Sequence, residues 1–100
     1  MQSIEQIIRD AASKYNLDGN RLLAMANCES TLNPNSVNYN YSENGIDYPS
    51  GLFQHLTNYW GSRATQYGYD GYSVFNAIAN AQVTAAMIAD GQSYQWECKY

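Results

Sequence analysis

Positive charge is scarce in this chain. Five Lys and Arg stand against nine Asp and Glu, for a net charge of −4. A nucleic-acid partner calls for a basic stripe that neutralises phosphates, and none is present. The same balance disfavours electrostatic docking onto an anionic membrane or polymer, so any recognition must be local. Long apolar runs are also missing. Nothing approaches the roughly 20 residues that a spanning helix needs, and no membrane partner is expected. The segment from Met1 to Asp10 lacks the basic-then-apolar pattern of a signal peptide and reads as an amphipathic helix. A removed leader, excision from a longer chain and export by a separate partner stay equally open.

Histidine and cysteine are nearly absent as well. His55 is the one histidine, and Cys28 and Cys98 are the two cysteines. Three such residues lack the short Cys-x-x-Cys spacing of a zinc site, so no metal is expected. Nor does Cys28 with His55 lie in a local nucleophile motif. The cysteines stand 70 positions apart. If bonded, they close a loop worth about 4 kcal/mol in the chain-entropy model and suit an oxidising compartment. Two free buried thiols are the alternative. The disulfide is the expectation taken forward, though sequence alone does not settle pairing.

One hundred residues make a single domain spanning 1–100. Such a length buries roughly two thirds of the surface its unfolded form exposes. With 45% hydrophobic and 14% charged residues the chain reads as globular, not disordered.

Both prolines, Pro34 and Pro49, fall in one stretch, and helical patterns flank it. Ser3 caps a first helix, with Gln6 in the capping-box position and Ile4, Ile7, Ile8, Ala11, Ala12 and Tyr15 on one stripe. Asn16 ends it. Asp18 caps a second helix with Leu22, Leu23, Met25 and Ala26 inward, running to about Glu29 or Ser30. Residues 33–50 interleave Asn33, Asn35, Asn38, Asn40 and Asn44 with Tyr39, Tyr41 and Tyr48, which favours turns and a short hairpin. A third helix is expected from Gly51 or Leu52 to Trp60, where Gly61 breaks it, with a further turn over Arg63 to Tyr67. A fourth is expected from a cap at Ser73 or Asp70 to Gly91, with Val74, Ile78, Ala81, Ala85, Met87 and Ile88 inside. There is no internal repeat. The fold class is mainly α, or α+β with at most a small hairpin.

Glu29 is the candidate for chemistry. It closes an apolar helix, where partial desolvation and the negative end of the helix dipole both favour its neutral form. A general acid needs that form at working pH. An ordinary helix-end carboxylate is the plain alternative. Downstream, Gly51-Leu52-Phe53-Gln54 offers a glycine for close backbone approach, two apolar residues to wall the acid and a neutral amide. Ten tyrosines add faces that stack on sugar-like rings, with Tyr39, Tyr41, Tyr48 and Trp60 as candidates, although aromatics are more often core or plain surface.

Glu29-Ser30, Pro34 and Gly51-Leu52-Phe53-Gln54 together resemble the soluble lytic transglycosylase and goose-type lysozyme family, over about Ile4 to Met87. The family usually has Met where Phe53 stands. The resemblance implies a lysozyme-like helical domain with the catalytic Glu at a helix end. It further implies cleavage of the bond between N-acetylmuramic acid and N-acetylglucosamine in peptidoglycan glycan strands, without cofactor. Glu29 would be general acid and base. Ser30, Phe53, Gln54, Tyr48, Tyr72 and Asn80 would lie on the substrate side, Ser30 mainly as local support. Asn76 is the competing register for Asn80. A hydrolase would need a second acid, for which Asp47 and Glu43 are available. Leu56 stands two positions after Gln54, where goose-type lysozymes can carry an acid. That tilts the expectation toward transglycosylase, with a hydrolase or a non-catalytic glycan-binding module as alternatives. The expected setting is extracytoplasmic (secreted, periplasmic or cell-wall) or a phage lysis or tail protein, acting as a monomer.

Overall fold

The computed structural model describes residues 2–100. Its elements are α1 (Ile4–Lys14), α2 (Gly19–Ser30), β1 (Pro49–Ser50), β2 (His55–Leu56), α3 (Thr57–Gln66), α4 (Ala77–Ala89) and a 3-10 turn at Ser93–Gln95. The class is mainly α with one small antiparallel hairpin, as expected.

Local capping sets the first two helices. Ser3 Oγ accepts from the Gln6 N–H at 3.1 Å, and Asp18 Oδ1 accepts from the Asn20 and Arg21 N–H groups at 2.9 and 3.2 Å. The Gln6 side chain does not reach back; it donates to Asp10 one turn on, so the capping box is half formed. Ile7, Ile8, Ala11 and Ala12 of α1 and Leu22, Met25 and Ala26 of α2 are buried. Left-handed residues end both helices, Asn16 after α1 and Thr31 with Leu32 after α2.

The third helix starts later than expected. Ser50 pairs with His55 and Pro49 with Leu56, and residues 51–54 form the turn between them. Gly51 at φ +83° and Gln54 at φ +60° both sit in the left-handed region, which no α-helix accommodates. A Cβ at Gly51 would also fall inside contact distance of Asn80 Nδ2 and the Val74 carbonyl. Gly61 does not break α3. An exposed glycine costs a helix about 1 kcal/mol, and Trp60 and Ala64, both buried, hold the face that matters.

The fourth helix also starts later. Asn76 Oδ1, not Ser73 or Asp70, caps it by accepting from the Ala79 N–H at 3.0 Å. Ser73 serves a local turn to the Phe75 N–H, and Asp70 accepts from the Thr65 hydroxyl. Ile78, expected inward, is 46% exposed because it lies on the outer side of the first turn. Beyond it α4 is buried on nearly all sides, from Ala79 to Ile88, and α1 packs against it. It is the central helix, which explains why apolar residues surround it and no single stripe stands out.

Between α2 and β1 the asparagines organise the chain locally. Asn33, Asn38 and Asn44 side chains accept from backbone N–H groups two or three residues ahead. Val37 forms an isolated bridge to Ser50, tying this loop to the hairpin.

Candidate functional site

Glu29 ends α2 and is half-buried. Its Oε2 accepts from the Cys98 backbone N–H at 3.3 Å. Cys28, one residue earlier, is bonded to Cys98, so the same link that closes the chain lays residues 95–98 beside the carboxylate. Burial is the largest influence on Glu29 and raises its pKa from the ordinary carboxylate range to about 7. The Cys98 N–H pulls the other way, Glu97 adds to the rise, and Lys99 opposes it.

The hairpin turn is fastened to α2 and α4 from both sides. Ser30 Oγ donates to the Leu52 carbonyl at 2.7 Å and accepts from the Asn33 N–H at 3.2 Å. Asn80 Oδ1 accepts from the Phe53 N–H at 2.9 Å, and its Nδ2 donates to the Val74 carbonyl at 2.9 Å. The indole N–H of Trp96 donates to the Phe53 carbonyl at 2.7 Å. Gln54 Nε2 donates to the Gly51 and Ser36 carbonyls at 2.9 and 3.1 Å. Leu52 and Phe53 have no solvent exposure. The turn is therefore a rigid block set against the end of the helix that bears Glu29.

A cleft of about 300 Å³ opens over this block. Glu29, Gln54 and Leu56 line it with Asn38, Tyr41, Glu43 and Pro49 from the polar loop. Tyr59 and Arg63 of α3 and Gln95, Trp96 and Glu97 of the disulfide-bound segment complete it.

Of the residues expected at a site, Glu29, Gln54 and Tyr41 share this cleft, and Glu43 with them. Others do not. Asn80 is fully buried and both ends of its amide serve the backbone, so it positions the turn and cannot reach the cleft. Asn76, the other register, is the cap of α4. Phe53 is core, and Ser30 is the buried tie to Leu52. The Tyr48 ring packs edge-on against Tyr39 with its hydroxyl on the Gly45 carbonyl, outside the lining. Tyr72 packs against Tyr69, and its carbonyl accepts from the Trp60 indole. Asp47 is occupied by Thr57 and Asn44, whose hydrogen bonds hold its carboxyl below the usual carboxylate range.

Tyr59, Arg63, Gln95, Trp96 and Glu97 line the cleft without having been expected from the sequence. For the last three a signal existed: pairing Cys98 with Cys28 necessarily carries its neighbours to Glu29. For Tyr59 and Arg63 none did, because their placement follows from the later start of α3.

His55 is also part of the packing. The Thr84 hydroxyl donates to the Asn80 carbonyl at 2.8 Å, so it accepts from His55 Nε2–H at 2.7 Å, leaving Nδ1 to accept from Arg63 Nη1 at 3.0 Å. That fixes one neutral tautomer. Burial first, and Arg63 second, push the His55 pKa down to about 3. With the cysteines bonded to each other and His55 enclosed, no metal-binding group of three His, Cys, Asp or Glu exists among the described residues. No described helix is long and apolar enough to cross a membrane.

A half-buried acid at a helix end, backed by a locked apolar turn and open to a polar cleft with aromatic walls, suits proton transfer to a sugar-sized ligand. No curated protein and no solved structure matches this chain. Residues 6–95 match the transglycosylase SLT domain. The chain thus belongs to the transglycosylase SLT domain family, and that membership supports an activity of the peptidoglycan lytic transglycosylase type acting outside the cytoplasm.

Proposed function

We propose that residues 1–100 act as one catalytic domain that cleaves the β-1,4 bond between N-acetylmuramic acid and N-acetylglucosamine. Glu29 is its acid and base. Carrying its proton near neutral pH, Glu29 donates to the glycosidic oxygen as the bond breaks. Positive charge develops at the anomeric carbon, and the substrate's own acetamido group stabilises it. The ionised Glu29 then takes the proton of the muramic 6-hydroxyl, which closes onto the anomeric carbon and leaves a 1,6-anhydro end. No water is consumed and Glu29 returns to its starting form. Gln54 and Tyr41 hold the sugars with neutral groups beside the acid.

The observation that carries this reading is the burial-raised pKa of Glu29, about 7, in a carboxylate that lines the cleft. A second reading draws on Glu43. It lines the same cleft and accepts from the Tyr59 hydroxyl at 2.6 Å, whereas Asp47 lies outside the lining. In a hydrolase, Glu43 would activate water across the sugar.

Digestion of purified peptidoglycan, with soluble fragments read by mass spectrometry, separates the readings. Anhydro-muramic ends from the wild type and none from Glu29→Gln are the expected result. Reducing ends that vanish in Glu43→Gln would replace it with the hydrolase. Folded wild type that releases nothing from any of several wall types leaves a glycan-binding module.

A further inference from the structure

Arg63 is the one cationic side chain in the lining of the cleft, where the other ionisable acids are the carboxyl groups of Glu29, Glu43 and Glu97. It is half-buried, yet it forms no ion pair; Arg9 with Glu5 is the pair found among the described residues. Glu43 is close enough to influence Arg63 but gives its carboxylate to the Tyr59 hydroxyl. The single side-chain hydrogen bond of Arg63 runs from Nη1 to His55 Nδ1, an uncharged acceptor.

The guanidinium is held in place from behind. His55 is locked against Thr84 in the core, and the rings of Tyr59 and Trp96 lie 5.3 and 5.9 Å from the guanidinium carbon. Such bracing removes side-chain freedom before any ligand arrives. A guanidinium carries five N–H donors in a planar fork, and four of them have no acceptor among the described residues. Partial burial of an unpaired cation is unfavourable, and an incoming anion relieves it. The planar fork matches a carboxylate by paired hydrogen bonds.

We propose that Arg63 binds a carboxylate carried by the muramic substituent of the glycan strand, making the cleft selective for acidic over neutral strands. The inference rests on the peptidoglycan reading above. Two sources share this chemistry. One is the lactyl ether's own carboxylate, free when no peptide is attached. The other is a carboxylate of an attached stem peptide.

Glycan strands of equal length in three forms test it: free lactyl acid, lactyl amide without charge, and peptide-bearing. The wild type is expected to favour one acidic form over the amide by about tenfold in kcat/KM, the order of one charge-assisted hydrogen bond. Which form is favoured identifies the source. Arg63→Gln is expected to bring that ratio to about one, and Arg63→Lys to keep part of it. A wild type indifferent to charge overturns the proposal, as does an Arg63→Gln variant that loses activity equally on all three strands. The wild-type comparison decides even where the variant folds poorly. Calorimetric binding of the same strands to Glu29→Gln reads the preference without turnover. Thus a wild type that cuts nothing would remove the cleavage reading while the carboxylate preference is still measured.

Discussion

Glu29 gains its proton affinity from its place in the chain more than from any one neighbour. Burial dominates, and the Cys98 N–H and Lys99 restrain a rise that Glu97 assists. An unfolded glutamate releases its proton near pH 4.3, while the folded one holds it to about pH 7. Folding therefore takes up a proton between those values. The stability that Glu29 contributes is full below the unfolded pKa and is lost as pH rises through about 7. Glu29→Gln cannot titrate, so its melting temperature should gain on the wild type between pH 5 and 8. The corresponding relative gain in unfolding free energy is about 1–2 kcal/mol once solvent screening of a half-exposed group is allowed for. Parallel melting-temperature curves for the two proteins over that range would contradict the assignment. Cleavage should fall over the same interval as the acid loses its proton. The half-buried place of Glu29 at the end of α2 was legible because it follows from a local pattern. Asn80 was misread for the opposite reason: its partners, the Phe53 N–H and Val74 carbonyl, meet it only through tertiary packing.

At the scale of elements, the segment from Gln95 to Cys98 behaves as a strap across the end of α2. It supplies one wall of the cleft, a hydrogen bond to the turn through Trp96 and one to the acid through Cys98. Its disulfide spans 70 residues. Replacing both cysteines by Ser should lower stability by about 4 kcal/mol in the chain-entropy model, measured by denaturant unfolding. Activity should drop below that of the wild type even under conditions where the double variant is fully folded, because the strap no longer holds its wall. Equal activity of the folded forms would mean that Trp96 alone seats the strap. The elements themselves were unevenly legible. Ser3 and Asp18 announce α1 and α2 because capping is a contact between residues two or three apart. The start of α3 was hidden because Gly51 is left-handed to let Asn80 and Val74 approach, a demand made by α4 and not by the neighbours of Gly51. Asn76, the competing register for Asn80, is the cap that starts α4.

The molecule as a whole carries a net charge of −4 on a body of 35 × 29 × 26 Å. A wall polymer rich in carboxylates is repelled at long range, while an ion pair inside the cleft is screened far less. Raising ionic strength from 0.01 to 0.15 M shortens the screening length from about 30 to about 8 Å. KM for intact peptidoglycan should therefore fall over that interval, by about twofold or more, with kcat steady. A KM that climbs with salt would point to long-range attraction that the charge balance does not supply. The class of the fold and the half-buried helix-end place of Glu29 followed from pattern, whereas the composition of the cleft did not, since its walls come from four separate stretches of chain. One of those walls has a consequence in time. The central helix ends at Ala89, and the strap comes after it. A nascent chain that has emerged as far as Asp90 holds α1 to α4 and Glu29, but neither Trp96 of the core nor the strap wall of the cleft. During synthesis the four helices therefore precede one wall of the cleft, which arrives only with the strap and the bond from Cys98 to Cys28.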